Sequence, residues 1–246
     1  MKVITCATSE EMSRTAAKIF ADRIRAKPAI VLGLATGSTP VGLYTELIRM
    51  HREEGLDFSK VRTFNLDEYL GLPLGHDQSY RTFMNAKLFD HINIKKENTR
   101  VPDGLAKDPQ AFCAKYEADI KAAGGIDLQV LGIGSNGHVA FNEPGSPATS
   151  RTRVVQLTPA TIQDNSRFFA GIEDVPTQAL SMGIGTILDA REIVLVADRA
   201  GKADAIAKTI EGPITPQVPA SLVRDHKAIT FVIDRAAAAL LKKSYT

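Results

Sequence analysis

The chain has 246 residues, of which 44% are hydrophobic and 24% are charged, and its formal net charge is +2. This length suits one large α/β domain, and the composition is ordinary for a globular chain with a sizeable core. The small net charge and the scattered Lys and Arg residues argue against nucleic acid as the main partner.

Two cysteines, Cys6 and Cys113, are too few for a disulfide framework, and no CxxC pair occurs. We expect two buried, reduced thiols, which fit a reducing compartment. The amino-terminal segment lacks the apolar core of a signal peptide, and no run of about 18 apolar residues could span a membrane. The sequence therefore predicts a cytoplasmic protein without membrane association.

Strand-like and helix-like segments alternate along the chain. After a short apolar run at 3–6, helical spacing over 9–26 predicts a helix that Ser9 could cap. Further strands are predicted over 30–34, 61–66, 128–133, 179–182, 193–197 and 228–233. Further helices are predicted over 41–53, 79–91, 110–123, 202–210 and from Arg235 onward. This alternation indicates an α/β fold, with a mostly parallel sheet covered on both faces, in a single domain over 1–246.

One long segment, 143–175, shows no clear periodicity and is rich in Ser, Thr and Arg. An irregular segment of this length that follows a site is either a lid or a surface excursion. We interpret it as a possible mobile lid over about 145–178.

A loop of small residues, Thr36-Gly37-Ser38-Thr39-Pro40, follows the strand predicted at its amino-terminal side. Pro40 suits the first helical position and Thr39 suits the N-cap. Free N–H groups, hydroxyls and the positive end of a helix dipole then favour phosphate binding. An ordinary capped turn is the alternative, and the lysine of a Walker A loop is absent.

Two adjacent carboxylates, Asp67 and Glu68, follow the strand predicted at 61–66. Neighbouring side chains at a strand end point in different directions, so these two are expected to do different jobs. One could be a general base that faces the pocket. A helix cap or solvated loop carboxylates are the alternative.

The segment 132–144 combines three glycines with His138 and Glu143 after an apolar run. Glycines allow backbone N–H groups to approach a ligand, and a carboxylate near a histidine can orient it. The two side chains could form an acid–base pair, with a plain buried histidine as the alternative. The GxGxxG pattern also suggests a dinucleotide, but Pro144 and the lack of a later ribose-binding acid argue against that.

Two cations, Arg167 and Lys202, could complete a phosphate clamp. Arg167 lies inside the suspected lid, and Lys202 opens the helix after the strand at 193–197. None of the five histidines is spaced as a metal-binding pair, and no Gly-x-Ser-x-Gly elbow occurs. The residues thus predict a metal-free proton-transfer enzyme that acts on a small phosphorylated polyol.

Several motifs occur in a specific order along the chain. They are TGSTP at 36–40, FNLDEY at 64–69, SY at 79–80, GHVAFNEP at 137–144, SRTR at 150–153, NSRFF at 165–169 and GIGTIL at 183–188. Together they resemble the glucosamine-6-phosphate deaminase family. That resemblance implies a modified Rossmann-like, three-layer sandwich, shared with ribose-5-phosphate isomerase and phosphogluconolactonase. It also implies hydrolysis of glucosamine 6-phosphate to fructose 6-phosphate and ammonium, without a cofactor.

The same resemblance implies roles for individual residues. Asp67 would take the C2 proton and return it at C1, and Glu68 would help shape the site. His138 would assist ring opening, and Glu143 would hold and tune it. The remaining substrate- and phosphate-binding residues would be Thr36, Gly37, Ser38, Thr39, Gly137, Arg167 and Lys202.

Two positions depart from the best-known members of that family. Enterobacterial members carry an aspartate where this chain has Asn136, which we keep as a catalytic-site residue although it cannot act as a second carboxylate. Hexameric members are activated by N-acetylglucosamine 6-phosphate through an Arg and a Lys that match Arg153 and Val155. We therefore expect no such activation, and a monomer or a small homo-oligomer.

Two other functions stay open at this point. Another sugar-phosphate isomerase, or a lactonase of the same fold, would use the same phosphate loop. A non-catalytic sugar-phosphate sensor is disfavoured by Asp67, His138 and Glu143, and by the lack of a basic recognition helix.

Overall fold

The strands of the computed structural model, which describes residues 1–245, form two sheets. They are β1 (Lys2–Cys6), β2 (Val31–Leu34), β3 (Arg62–Asn65), β4 (Asp67–Tyr69), β5 (Thr99–Arg100), β6 (Leu128–Leu131), β7 (Arg153–Gln156), β8 (Gln178–Ser181), β9 (Glu192–Ala197) and β10 (Ile229–Asp234). The α-helices are α1 (Ser9–Ala26), α2 (Val41–Glu54), α3 (Tyr80–Lys87), α4 (Pro109–Ala122), α5 (Pro159–Ser166), α6 (Ile184–Leu188) and α7 (Ala203–Glu211). Short 3-10 helices lie at Phe89–His91, Lys96–Asn98, Ile172–Asp174, Ala200–Lys202 and Pro219–Val223.

The main sheet has seven parallel strands in the order β1-β10-β9-β6-β2-β3-β5. Every residue of β2 and β6 is buried, so both faces of the sheet are covered. The predicted α/β fold with a mostly parallel central sheet is therefore confirmed. The chain moves outward from β2 through β3 to β5, then returns to β6 on the other side of β2, so the order reverses between β2 and β6.

Helix α1 shows why the predicted helices form where they do. Met12, Ala16, Phe20 and Ile24 recur every four residues and are all buried on the face that packs against α2 and β10. The predicted cap was wrong by one residue. Thr8 is the N-cap and accepts a hydrogen bond from the backbone of the third helical residue at 3.2 Å.

The second sheet is antiparallel, with the order β4-β8-β7. Its first strand, β4, begins almost directly after β3, with only Leu66 between them. Leu66 donates to Leu34 of the main sheet and accepts from Met182 beside β8, so it joins the two sheets. A small separate core of Tyr69, Phe141 and neighbouring residues packs beneath this second sheet.

Three predictions about local structure were incomplete or wrong. The segment 143–175 is not irregular, since it contains β7 and α5, which are four and eight residues long and partly exposed. Elements this short do not produce a readable period. Within residues 1–245, no helix follows β10 either, because residues 235–240 form successive turns. The Asp234 carboxylate accepts the Ala237 N–H at 2.7 Å, which is a local capping contact at the start of these turns. The short elements β5 and α6 were not predicted.

Candidate active site

A cavity of about 630 Å³ lies where the strand order of the main sheet reverses. Four adjacent strands, β9, β6, β2 and β3, send the segments that follow their carboxyl ends into its wall. Ligands of open α/β sheets bind at this switch point, because the diverging loops leave a crevice there. The predicted phosphate loop, the histidine segment, the lysine segment and the first carboxylate therefore converge, although they are far apart in the sequence.

The loop after β2 forms one wall of the cavity, which Thr36, Gly37, Ser38 and Thr39 all line. Gly37 has a φ of 102°, a conformation that a glycine adopts without strain. Thr39 does not cap α2 as predicted, because its hydroxyl donates to Asp198 at 2.7 Å. The loop is thereby fastened to the segment after β9.

Three cations reach the cavity, of which the sequence predicted two. Arg167 comes from the end of α5, and Lys202 from the segment after β9. Burial, together with Arg199 and Arg167, lowers the pKa of Lys202. The third cation, Arg199, was missed, and it donates to Ser38 Oγ at 2.8 Å. Its position just beyond the buried strand β9 was the available signal, because that is where ligand-binding residues of parallel sheets lie.

Asp67 is the first residue of β4 and lines the cavity with only 6% of its surface exposed. Within residues 1–245, its carboxylate accepts no hydrogen bond. Burial, and secondarily the neighbouring Glu68, raises the pKa of Asp67 to about 8. A desolvated carboxyl group with such a pKa is suited to take a proton from carbon near neutral pH.

Glu68 is turned away from the cavity, unlike its neighbour. Its carboxylate accepts the backbone N–H groups of Tyr69, Tyr80 and Arg81, each at 2.9 Å. The last two donors belong to the first turn of α3, whose orphan N–H groups need acceptors. The structure thus places Glu68 behind the site, where it fixes α3 and hence Tyr80, which lines the cavity.

His138 lines the cavity, and its neighbour Glu143 lies just behind it. The distance from His138 Nδ1 to Glu143 Oε2 is 3.7 Å, too long for a hydrogen bond. Nδ1 is buried and has no partner in the described part of the chain. Burial lowers the pKa of His138, and Glu143 opposes that change. The predicted pair is therefore an electrostatic contact without a hydrogen bond, and burial favours the neutral imidazole.

Two hydrogen bonds hold the Glu143 carboxylate. Asn136 Nδ2 donates to Oε2 at 2.8 Å, and the Thr161 hydroxyl of α5 donates to Oε1. Asn136 Oδ1 also accepts the backbone N–H of His138 at 3.1 Å. Asn136 thus ties the predicted acid–base pair together without lining the cavity. Thr161 was not predicted, because its contact arises only when α5 folds over the site.

Two glycines of the same segment have different tasks. Gly137 does not line the cavity. It has a φ of 85°, and its carbonyl accepts the Ala220 N–H at 2.8 Å, so it shapes the turn. Gly134 does line the cavity, and a Cβ there would lie 2.3 Å from His138 Cε1. The histidine ring therefore packs against bare backbone.

Helix α5 and the residues just after it are held over the cavity by contacts with the second sheet and with the loop after β6. Asn165 donates to the Tyr69 hydroxyl at 2.8 Å, and Ser135 donates to Asp164 at 3.2 Å. Phe169 packs edge-on against Tyr69 with ring centroids 5.7 Å apart. These contacts deliver Arg167 to the cavity.

Residues 1–245 contain no group of three or more His, Cys, Asp or Glu side chains arranged to hold a metal ion. In the same range, every helix is too short or too polar to cross a membrane.

A loop of small residues after a strand, converging cations and a desolvated carboxyl group in one cavity are typical of α/β enzymes that act on phosphorylated sugars. The family described as glucosamine-6-phosphate isomerases/6-phosphogluconolactonase matches residues 6–232, and the chain belongs to that family. It is 51% identical over 242 residues to a glucosamine-6-phosphate deaminase of Clostridium perfringens (strain SM101 / Type A), covering 98% of this chain and 100% of the relative. It is 52% identical over 241 residues to a glucosamine-6-phosphate deaminase of Thermoanaerobacter sp. (strain X514), covering 98% of this chain and 95% of the relative.

Solved structures show the same likeness. A monomeric glucosamine-6-phosphate deaminase superposes with a TM-score of 0.96 at 48% identity, covering 98% of this chain and 100% of that chain. A 6-phosphogluconolactonase from Trypanosoma cruzi shares the fold, with a TM-score of 0.77 at 23% identity, covering 98% and 97%.

Proposed function

We propose that this protein is a glucosamine-6-phosphate deaminase, which converts glucosamine 6-phosphate and water to fructose 6-phosphate and ammonium. The observation that carries the proposal is the buried carboxyl group of Asp67, which shares one cavity with the loop at 36–39 and three cations. The high identity to relatives of that name over nearly the whole chain supports it. Because the reaction consumes water and releases ammonium, we assign it to the hydrolases, with no cofactor.

The phosphate end of the substrate binds to Gly37, Ser38, Thr39, Arg167 and Lys202. The N–H and hydroxyl groups of the loop and the two cations are the donors that a phosphate dianion requires. Thr36 completes the wall beside them. This anchor fixes the distance between the phosphate and the carbon atoms that react.

His138 then opens the pyranose ring by moving a proton from the anomeric hydroxyl to the ring oxygen. A neutral imidazole can accept and donate a proton, and the lowered pKa of His138 favours that form. Asn136 and Glu143 are positioning residues. Asn136 accepts the backbone N–H of His138 and donates to the Glu143 carboxylate, which lies 3.7 Å from the imidazole.

Asp67 takes the proton from C2 of the open-chain aldehyde, which leaves an enolamine. The Asp67 carboxyl group, whose proton can exchange with solvent, then delivers a proton to C1, and C2 becomes an imine. Water adds to that imine, and the C2–N bond breaks to release ammonia, which leaves a ketone. Each step requires only the substrate, water and the proton that the Asp67 carboxylate carries.

The finer features are proposed as well. We propose a single domain over 1–246 with a lid over about 145–178. Because β7 is paired with β8, the part of the lid that moves is α5, which contacts the rest of the cavity wall through side chains. A monomer or a small homo-oligomer is proposed, and the structural relative described as monomeric supports it. We propose a cytoplasmic location.

The deciding experiment measures ammonia released from glucosamine 6-phosphate in the presence of a chelator and without nucleotide. Asp67→Asn should lower kcat by about 10²–10⁴-fold while substrate still binds. Asp225→Asn, which alters an exposed carboxylate, serves as the matched control and should match the wild type. Near-normal turnover by Asp67→Asn would show that the base is misassigned. A lactonase needs no C2 base, so solvent deuterium at C1 of the product separates the two activities.

A further inference from the structure

Arg199 has a backbone conformation that side chains rarely adopt. Its φ of 74° and ψ of 150° lie in a region that is essentially restricted to glycine. A residue stays there only when its surroundings force it. The Asp234 carboxylate at the end of β10 does so, because it accepts the Arg199 N–H at 3.1 and 3.2 Å.

The strained backbone aims the guanidinium at the phosphate loop. Nη2 donates to Ser38 Oγ at 2.8 Å, and it lies 3.2 Å from Asp198 Oδ1. Nε and Nη1 make no hydrogen bond within residues 1–245, although Arg199 lines the cavity. Nη2 is therefore anchored, and the N–H groups of Nε and Nη1 remain available to an anion, each as a single donor.

We propose that Arg199 is a third cationic ligand of the substrate phosphate, held in place by Nη2, which contacts Ser38 and Asp198. A guanidinium keeps its charge at any ordinary pH and offers donors on three nitrogens, so one nitrogen can be anchored while another donates to phosphate. The identity of the substrate rests on the proposed function, whereas the anion site rests on this geometry alone.

The alternative is a purely structural arginine that ties the segment after β9 to the loop after β2. The two roles differ in what a glycine would do. Arg199→Gly removes the guanidinium and also relieves the backbone strain, so the fold should keep or raise its melting temperature while phosphate binding weakens. A structural tie would instead lose stability.

The experiment measures the dissociation constant for inorganic phosphate by calorimetry, and KM and kcat for glucosamine 6-phosphate. Arg199→Gly and Arg199→Gln should each raise both the phosphate dissociation constant and KM about tenfold or more, with kcat little changed. Arg199→Lys should recover part of the loss. Arg14→Gln, which removes an exposed arginine of α1, is the control and should have no effect.

If the phosphate affinity of both the Gly and the Gln variants changes by less than about threefold, the assignment is overturned. Such a change is smaller than the loss of one charged hydrogen bond would cause. A lower melting temperature of Arg199→Gly with unchanged affinity would establish the structural alternative. Calorimetry needs no turnover, so the two proposals can fail separately. If the wild type releases no ammonia but the Arg199 variants still bind phosphate more weakly than it does, the proposed function is contradicted and this inference is not.

Discussion

Asp67 and Glu68 are consecutive residues of β4, yet only Asp67 lines the cavity, while the Glu68 carboxylate accepts the first N–H groups of α3. The alternation of side chains along a strand separates the two carboxylates. The Asp67 carboxylate has no hydrogen-bond donor among the described residues, whereas the Glu68 carboxylate has three. This difference leads to opposite expectations for their replacement.

Replacing Asp67 by Asn should stabilise the protein above about pH 4. Burial raises the pKa of Asp67 to about 8, so the folded chain keeps a proton that the unfolded chain has lost. Wild-type stability therefore falls as pH rises from about 4 to 8, by an amount on the order of a few kcal/mol. Thermal unfolding should show that Asp67→Asn gains more over the wild type at pH 8 than at pH 5. A constant difference across that range would contradict the raised pKa, and Asp225→Asn should show no gain at either pH.

The activity of the wild type should decline as pH falls through about 8. Only the ionised form of Asp67 can accept the C2 proton, and burial raises its pKa to about 8 in the free protein. The acidic limb of kcat/KM reports groups of the free enzyme and substrate. The second ionisation of a phosphate, near pH 6, is far enough away to be distinguished. A profile that stays flat down to pH 6 would rule out this assignment.

Replacing Glu68 by Gln should mainly reduce stability. A glutamine offers one oxygen and an NH₂ group to three backbone donors, so at least one buried N–H loses its acceptor. We expect a loss of about 1–3 kcal/mol in the free energy of unfolding, measured with urea. The fall in kcat should be much smaller than that of Asp67→Asn. Glu97→Gln, at an exposed carboxylate, is the control; a larger kcat effect at position 68 than at position 67 would reverse the two roles.

Replacing Thr161 by Val should lower kcat with little change in KM. The hydroxyl of Thr161 is the link between α5 and the Glu143 carboxylate, and it lies 4% exposed. Losing a hydrogen bond to a charged group would lower the rate by about tenfold if the bond acts in the transition state. Thr161→Ser keeps the hydroxyl and should restore the rate, whereas Thr45→Val, on the outer surface of α2, should be neutral. Equal rates for Val and Ser at position 161 would show that only packing matters there.

The sequence predicted the main sheet well because its strands are continuous apolar runs. Runs such as 30–34 and 193–197 leave no doubt about burial, and their ends mark where ligand-binding residues lie. The loop at 36–39, Asp67 and Lys202 were found by that reasoning, and the structure brings them to one cavity. By contrast, Arg199 was overlooked because a lone arginine in a turn is usually solvated.

The sequence by itself determined the alternation of strands and helices, the loops that follow the strands, and the residue types available to the site. Only the tertiary structure decided which of two adjacent carboxylates faces the cavity, and that Asn136 and Thr161 hold Glu143. The physical reason is that the two kinds of information depend on interactions of different range along the chain. Periodicity and turn chemistry act over a few neighbouring residues, whereas hydrogen bonds to α3 and α5 depend on where distant elements pack.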